Sequence, residues 1–177
     1  MPIAYCATKC RLPIAAEIRI FVGMHHLHSI DTLEDMRLTA REIVQHLDQY
    51  PIVLLKGNLG AGKTTLAQMI CEILGVNEPV TSPTYTLVNE YMASGFHIYH
   101  FDLYRVEDAG ELDGFGLNEY LDSGYICLVE WPEIARNHLA GLPCIEVTIH
   151  QENEKRTLEL SYHTRYSSSD HTNTVTA

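Results

Sequence analysis

Two stretches of the chain carry apolar residues at the spacing of an amphipathic helix. The first begins at Asp31 or Thr32, where Asp31 and Glu34 resemble a capping box, and Pro51 ends it. The second covers residues 63–75 and ends at a glycine. Both stretches are therefore predicted to be helices that bury one face against a core.

Apolar runs and alternating patterns predict the strands. The runs 52–55 and 126–129 are continuously apolar, which is typical of strands buried on both faces. Further strands are predicted at 85–91, 98–103, 145–149 and 158–160, and one or two short helices within 108–121. Strands alternate with helices early in the chain, and the last two strands read as a hairpin with a charged turn. The pattern predicts an α/β fold of three layers, with a mostly parallel central sheet and a C-terminal antiparallel hairpin.

The two ends of the chain lack these patterns. The length of 177 residues fits about one domain, which we place at residues 29–162. We interpret residues 1–28 as an N-terminal extension that is loosely attached or, for its first 23 residues, translated from an upstream start codon ahead of Met24. Residues 163–177, rich in Ser, Thr, His and Asn, are expected to form a disordered tail.

Composition narrows the class of protein. The chain has 12 Lys and Arg against 23 Asp and Glu, a formal charge of −11, which argues against a basic surface that grips nucleic acid directly. No apolar run of ~18 residues occurs, so no membrane span is expected. The odd number of cysteines, 5, indicates reduced thiols in a cytosolic protein. The Cys6–Cys10 pair lacks a second pair for zinc, and His25, His26 and His28 are interpreted as solvated, with a metal site as the alternative.

The strongest chemical signal is a glycine-rich loop between the run 52–55 and the second helix. Residues 57–64 read G-x-x-x-x-G-K-T, a phosphate-binding loop in the context that this motif requires. Glycines let successive backbone N–H groups point into one concavity, to which the helix adds its positive end. Lys63 is expected to reach the β- and γ-phosphates, and Thr64 to offer its hydroxyl to Mg²⁺. The expected nucleotide-binding residues are Gly57, Asn58, Leu59, Gly60, Ala61, Gly62, Lys63, Thr64, Thr65 and Trp131. We therefore predict a P-loop NTPase fold.

Two acids follow apolar strands and are candidates for the metal and the attacking water. Glu130 follows the continuously apolar run 126–129 and is predicted to be the Walker B acid. Thr64 and Glu130 are therefore the predicted metal ligands. Asp102 is predicted to hold a metal-bound water or to orient the attacking one.

Three further positions carry weaker signals. Thr81–Thr84 contains the motif Ser-Pro-Thr and is either a nucleotide-sensing switch or a plain turn. Arg105 either neutralises developing phosphate charge or forms a surface salt bridge, and from the residue alone the salt bridge is favoured. Trp131, the single tryptophan, belongs either to the core or to a lid on the site.

Four ordered motifs resemble the TsaE family, also called YjeE. They are G-N-L-G-A-G-K-T-T at 57–65, S-P-T-Y-T-L-V-N-E-Y at 82–91, Y-H-F-D-L-Y-R at 99–105 and C-L-V-E-W-P at 127–132. The resemblance runs from about residue 29 to 160. It implies a cytoplasmic ATPase, with ATP and Mg²⁺ as cofactors, in bacterial tRNA threonylcarbamoyladenosine synthesis.

The resemblance also implies partners and residue roles. The family associates with the TsaD and TsaB subunits, which transfer threonylcarbamoyl to adenosine 37 of tRNAs that read codons beginning with A, so tRNA is reached only indirectly. ATP hydrolysis supports repeated turnover and does not itself form the modified base. By matching position, Asp102, Lys63 and Thr84 are catalytic, and Trp131 lies beside the nucleotide.

Two other function classes stay open from the residues alone. A small P-loop kinase would need several lid arginines, yet residues 76–155 contain only Arg105 and Arg136. A nucleotide-dependent interaction module would bind ATP and hydrolyse it negligibly. Release of phosphate without an acceptor would separate an ATPase from both.

Overall fold

A computed structural model describes residues 25–93, 95–152 and 155–167. The elements in chain order are β1 (His25–Ile30), α1 (Leu33–Gln45), β2 (Ile52–Gly57), α2 (Lys63–Leu74), β3 (Val88–Ala93), β4 (Phe96–Asp102), α3 (Ala109–Phe115), α4 (Leu117–Leu121), β5 (Ile126–Glu130), a 3₁₀ helix (Pro132–Ala135), α5 (Arg136–Leu139), β6 (Cys144–Glu152) and β7 (Lys155–His163). Predictions about the Cys6–Cys10 pair and the last ten residues concern positions outside the described ranges.

One sheet of 7 strands forms the centre, in the order β1-β7-β6-β2-β5-β4-β3. The four inner strands β6, β2, β5 and β4 run parallel, β3 is antiparallel to β4, and β6 and β7 form an antiparallel hairpin to which β1 adds. The predicted parallel core and C-terminal hairpin are therefore confirmed. The central runs are buried throughout because helices cover both faces of these strands.

Two hydrophobic cores lie on opposite faces of this sheet. One packs α1 and α2 against alternate residues of the strands, with Val53, Leu55 and Leu128 at its centre. The other packs the shorter helices α3, α4 and α5 against the remaining face, around Leu54 and Phe101. The predicted three layers are thus confirmed.

The capping box of helix α1 lies one residue later in the chain than predicted. The capping box joins Thr32 and Asp35, not Asp31 and Glu34: Thr32 N donates to Asp35 Oδ2 at 2.8 Å, and Asp35 N donates to Thr32 Oγ1 at 3.2 Å. The pair satisfies two backbone donors at the helix start. The same carboxylate also accepts from the Thr32 hydroxyl, which lowers the pKa of Asp35.

Several predicted boundaries were wrong, and three of them change which residues belong to the fold or to a strand near the site. Residues 25–28, assigned to an extension, belong to β1, which pairs with β7 along its whole length. Residues 163–167, assigned to a disordered tail, are ordered, because Tyr166 is buried and exchanges backbone hydrogen bonds with the Gly141–Leu142 turn. The strand expected from Tyr85 starts at Val88, since the amides of Thr86 and Leu87 bond back to Pro83 O in a turn.

Candidate functional site

The glycine-rich loop joins the end of β2 to the start of α2. Gly57 has a φ of 140°, and a Cβ there would lie 2.7 Å from the carbonyl oxygen of Ile149. Gly62 has a φ of 111° and is the N-cap of α2, where its carbonyl accepts from Leu66 N at 2.9 Å. Both positions favour glycine because side chains rarely tolerate positive φ. Such a loop before a helix creates an anion-binding concavity.

Lys63 lies across this loop with only 4% of its surface exposed. Its ammonium donates to the carbonyls of Gly57 at 2.7 Å and Asn58 at 2.9 Å, and it lies 3.8 Å from the centre of the Trp131 ring. Burial lowers the pKa of Lys63 below its ordinary value, and the nearby carboxylates of Glu130, Asp102 and Glu133 oppose that shift. The carboxylates thus favour a charged ammonium at the centre of the loop.

The Glu130 carboxylate connects the loop to the neighbouring strands. Thr64 Oγ1 donates to Glu130, 2.8 Å from Oε1 and 3.1 Å from Oε2. His100 Nε2 lies 2.8 Å from Oε1, and both Glu130 and His100 are buried. Glu130 is therefore oriented from two sides, by a hydroxyl of α2 and by an imidazole of β4.

The oxygen atoms of Thr64 and Glu130 suit a hard cation. Neighbouring ligands of octahedral Mg²⁺, at 2.0–2.1 Å from the ion, lie about 2.9 Å apart. The observed separations of 2.8 and 3.1 Å match this value. His100, which contacts the same carboxylate, is the kind of outer partner that fixes a metal ligand's orientation. The residues present therefore fit the predicted metal.

Asp102 is the neighbour of Glu130 in the parallel register of β4 and β5. Its Oδ2 accepts from Ser82 Oγ at 2.7 Å and from Thr84 Oγ1 at 2.6 Å, and its Oδ1 accepts from Tyr104 N at 3.1 Å. The loop that precedes β3 is thus tied to the acid at the end of β4. Any motion of Thr84 would change the partners of Asp102.

These groups surround one open cavity of about 290 Å³. Trp131 lies at its edge in the left-handed region, at φ 57°, and its ring packs against Tyr104 with 5.0 Å between centroids. Left-handed backbone is rare for a bulky residue and such strain concentrates at functional sites. The lining residues are Leu59, Gly60, Gly62, Lys63, Thr64, Thr65, Ser82, Thr84, Asp102, Tyr104, Glu130 and Trp131.

Most of the predicted site residues meet at this cavity, and a few do not. Gly57 and Asn58 contribute the carbonyls that hold Lys63 and do not line the cavity. Ala61 is buried in the core on the α2 side. Arg105 is not among the lining residues, and its guanidinium lies 4.6 Å from the centre of the exposed Tyr85 ring.

Sequence reasoning missed two residues of the site, His100 and Tyr104. Each lies two positions from Asp102, one on either side. Along a strand, residues two apart point to the same face, so alternation alone would have placed His100 beside the acid. No comparable pattern marks Tyr104, because it follows the end of the strand.

The parallel core, the loop between β2 and α2 and the two acids at adjacent strand ends define a P-loop NTPase fold. This is the fold of a nucleotide-binding protein. The family model described as "Threonylcarbamoyl adenosine biosynthesis protein TsaE" matches residues 30–158, and the chain belongs to this family. Its role therefore lies in tRNA threonylcarbamoyladenosine biosynthesis.

Individual relatives agree with this assignment. The chain is 43% identical over 115 residues to the tRNA threonylcarbamoyladenosine biosynthesis protein TsaE of Haemophilus influenzae, covering 65% of this chain and 72% of that one. It is 40% identical over 132 residues to the protein of the same name in Rickettsia conorii, covering 73% and 74%. The crystal structure of YdiB from Bacillus subtilis shares the fold, with a TM-score of 0.61 and 24% identity over 80% of this chain and 88% of that one.

Among the residues that the structure describes, no helix is long and apolar enough to cross a membrane. The three cysteines in the described ranges, Cys71, Cys127 and Cys144, are buried free thiols. Burial raises the pKa of Cys71 and Cys127 to about 12.

Proposed function

We propose that this chain is the Mg²⁺-dependent ATPase subunit of the bacterial machinery that makes N6-threonylcarbamoyladenosine at position 37 of tRNAs reading codons that begin with A. The observation that carries the proposal is the contact of Thr64 with Glu130 at the floor of a cavity built on the glycine-rich loop. A carboxylate at a strand end facing the Thr of such a loop is the metal-binding arrangement of P-loop NTPases.

The chain's own groups can hold the triphosphate. Backbone N–H groups of the loop and the positive end of α2 bind phosphate oxygens, and Lys63 exchanges its two carbonyl partners for the β- and γ-phosphates. Thr64 and Glu130 would hold Mg²⁺, which would neutralise negative charge on the triphosphate. Trp131 borders the nucleotide and screens Lys63 from water.

Asp102 and the Ser82–Thr84 loop provide the catalytic and sensing step. In the described conformation both hydroxyls donate to Asp102 Oδ2, which leaves that oxygen no free position for an attacking water. If Thr84 turned towards a bound γ-phosphate, its hydroxyl would leave Asp102 Oδ2, and that oxygen could then orient the water. Hydrolysis is therefore slow in the isolated chain, and partners that stabilise the released conformation accelerate it.

TsaD and TsaB are the proposed partners, and the protein acts with them in the cytoplasm. The formal charge of −11 makes direct binding of tRNA unfavourable, so the chain meets tRNA only through these subunits. ATP hydrolysis then resets the TsaD–TsaB pair between rounds of transfer. The exposed Leu59 and Tyr85, at 78% and 87% exposure beside the cavity, form part of the contact surface.

Phosphate release is the direct test of the ATPase assignment. The protein is assayed with ATP alone, with Mg²⁺, and with Mg²⁺ and TsaD–TsaB, always without a phosphate acceptor. We expect slow release that needs Mg²⁺ and rises with the partners, loss of binding in Glu130→Gln, and loss of rate at retained binding in Asp102→Asn. Glu90→Gln, on the outer strand β3, is the matched control. Mg²⁺-independent release, or full activity in both site variants, would refute the proposal.

A second experiment tests the sensing role of Thr84. Affinity for TsaD–TsaB is measured with ATP, with ADP and without nucleotide, in the wild type, Thr84→Ala and the control Thr86→Ala. Nucleotide and partner must affect each other's binding by the same factor if they are coupled. We expect the difference between ATP and ADP to vanish only in Thr84→Ala. Equal affinity in all three states of the wild type would exclude nucleotide-gated docking.

A further inference from the structure

A cluster of two histidines and one carboxylate lies outside the nucleotide site. His26 and His28 are two apart on β1 and face α1, as does Ile30, which is buried in the core. Glu42 projects from α1 towards them. Strands β7 and β6 separate β1 from β2 in the sheet, so this cluster and the glycine-rich loop belong to different strands.

The three side chains point their ligand atoms at one another. His26 Nδ1 is 2.7 Å from Glu42 Oε1, and His28 Nε2 is 3.2 Å from Glu42 Oε2. The ligand atoms of all three residues lie within 4.8 Å of one another. The His28 Nε2 atom is buried and makes no hydrogen bond to any residue in the described ranges. This nitrogen is therefore close to the Glu42 carboxylate without being hydrogen-bonded to it, and it can serve as a ligand to a cation that it shares with Glu42.

We propose that His26 Nδ1, His28 Nε2 and Glu42 bind one Zn²⁺ ion that links the edge strand β1 to helix α1. Two imidazoles and a carboxylate form a donor set that suits Zn²⁺, whereas Mg²⁺ and Ca²⁺ prefer oxygen ligands alone. Tetrahedral Zn²⁺ with bonds of 2.0–2.2 Å places its ligand atoms about 3.4 Å apart. The side chains therefore need to shift by at most about 1.4 Å to enclose the ion.

The surroundings support a metal ligand set over a simple ion pair. Tyr162 Oη donates to Glu42 Oε1 at 3.0 Å and fixes the orientation of the carboxylate, as outer partners of metal ligands do. The rings of His26 and Tyr162 pack edge to face with 5.8 Å between centroids. The three ligand side chains keep 23–32% exposure, which leaves an entry path and a fourth coordination position for water.

Zinc binding is measured by calorimetry on the full chain, stripped of metal and free of nucleotide. We expect one Zn²⁺ per chain, unaffected by millimolar Mg²⁺, and a higher unfolding temperature with Zn²⁺. His26→Ala and His28→Ala should abolish this site, and Tyr162→Phe should weaken it about 10–100-fold. The matched control is His97→Ala, which removes a histidine paired with a single carboxylate, Glu90.

Glu42→Gln keeps the size of the side chain and one acceptor oxygen for the Tyr162 hydroxyl, and it guards against loss of folding in the histidine variants. It should unfold at the metal-free wild-type temperature and show no shift with Zn²⁺. Cobalt spectra of the wild type should lack a thiolate-to-metal band, which excludes cysteine ligands. Any of three results would overturn the proposal. These are a wild type that binds no zinc, a metal ligated by thiolate, and zinc binding that survives in His26→Ala, His28→Ala and Glu42→Gln.

Discussion

Replacing Thr64 by valine removes one hydroxyl from the proposed metal site and keeps the branched shape of the side chain. In the described conformation this hydroxyl donates to the Glu130 carboxylate. Hydrogen bonds to charged groups contribute about 1.5–3 kcal/mol to stability. The Glu130 carboxylate still has one partner in the variant, His100 Nε2 at 2.8 Å, so it is not left unpaired and the lower end of this range applies. We therefore expect the free energy of unfolding to fall by about 1.5 kcal/mol. For a chain of this size that is a fall in Tm of about 3–6 °C.

The effect on nucleotide binding separates a metal ligand from a structural hydroxyl. With Mg²⁺ present, ATP affinity of Thr64→Val should fall on the order of 10–100-fold, the range seen when groups that hold or orient a metal are lost. Without Mg²⁺ it should stay within about twofold of the wild type, since the backbone cradle is unchanged.

Urea unfolding and ATP titrations with and without Mg²⁺ measure both effects. Thr148→Val is the control, because Thr148 lies on β6 and is not among the residues that line the cavity. Wild-type Mg²⁺-dependent affinity in Thr64→Val would refute the assignment of this hydroxyl to the metal. An equal loss with and without Mg²⁺ would show that the variant damages the cradle instead.

Three further predictions use other parts of the site and the core. His100→Leu should weaken Mg²⁺-dependent ATP binding about 10–100-fold, whereas His100→Gln, which keeps a donor near the position of Nε2, should recover part of it. Trp131 emission should change on addition of ATP, because phosphates draw the Lys63 ammonium away from the ring, and Lys63→Ala should give no such change. With pKa values of about 12, Cys71 and Cys127 stay protonated at pH 8, so iodoacetamide should leave both unmodified until urea unfolds the chain, as peptide mass spectrometry would show.

The core of the site could be predicted from the sequence because its signals are local or follow from strand geometry. The glycine-rich loop is contiguous and lies between a buried strand and a helix. Glu130 and Asp102 end parallel strands, and the carboxyl ends of parallel strands meet at one edge of the sheet. Their hydrogen-bond partners depend on side-chain placement across distant elements, so the Thr84–Asp102 and His100–Glu130 contacts needed the structure.

The edges of the fold could not be predicted for a related reason. β1 reads His-His-Leu-His-Ser-Ile, a polar pattern with one core residue, Ile30, and its pairing with β7 spans more than 120 residues of sequence. The strand's other apolar residue, Leu27, is 70% exposed, so its two apolar residues lie on opposite faces and no single face is marked as buried. Tyr166 is buried by the turn at 141–142, which no local pattern of the tail indicates.

Turnover of the TsaD–TsaB pair is the most direct test of whether this chain supports repeated rounds of tRNA modification. Modified tRNA is counted per TsaD–TsaB complex, with excess tRNA and threonylcarbamoyl donor, in the presence of ATP and Mg²⁺. We expect many modified tRNAs per complex with the wild-type chain, and about one per complex with Lys63→Ala or with no added chain. Equal multiple turnover under all three conditions would contradict this expectation.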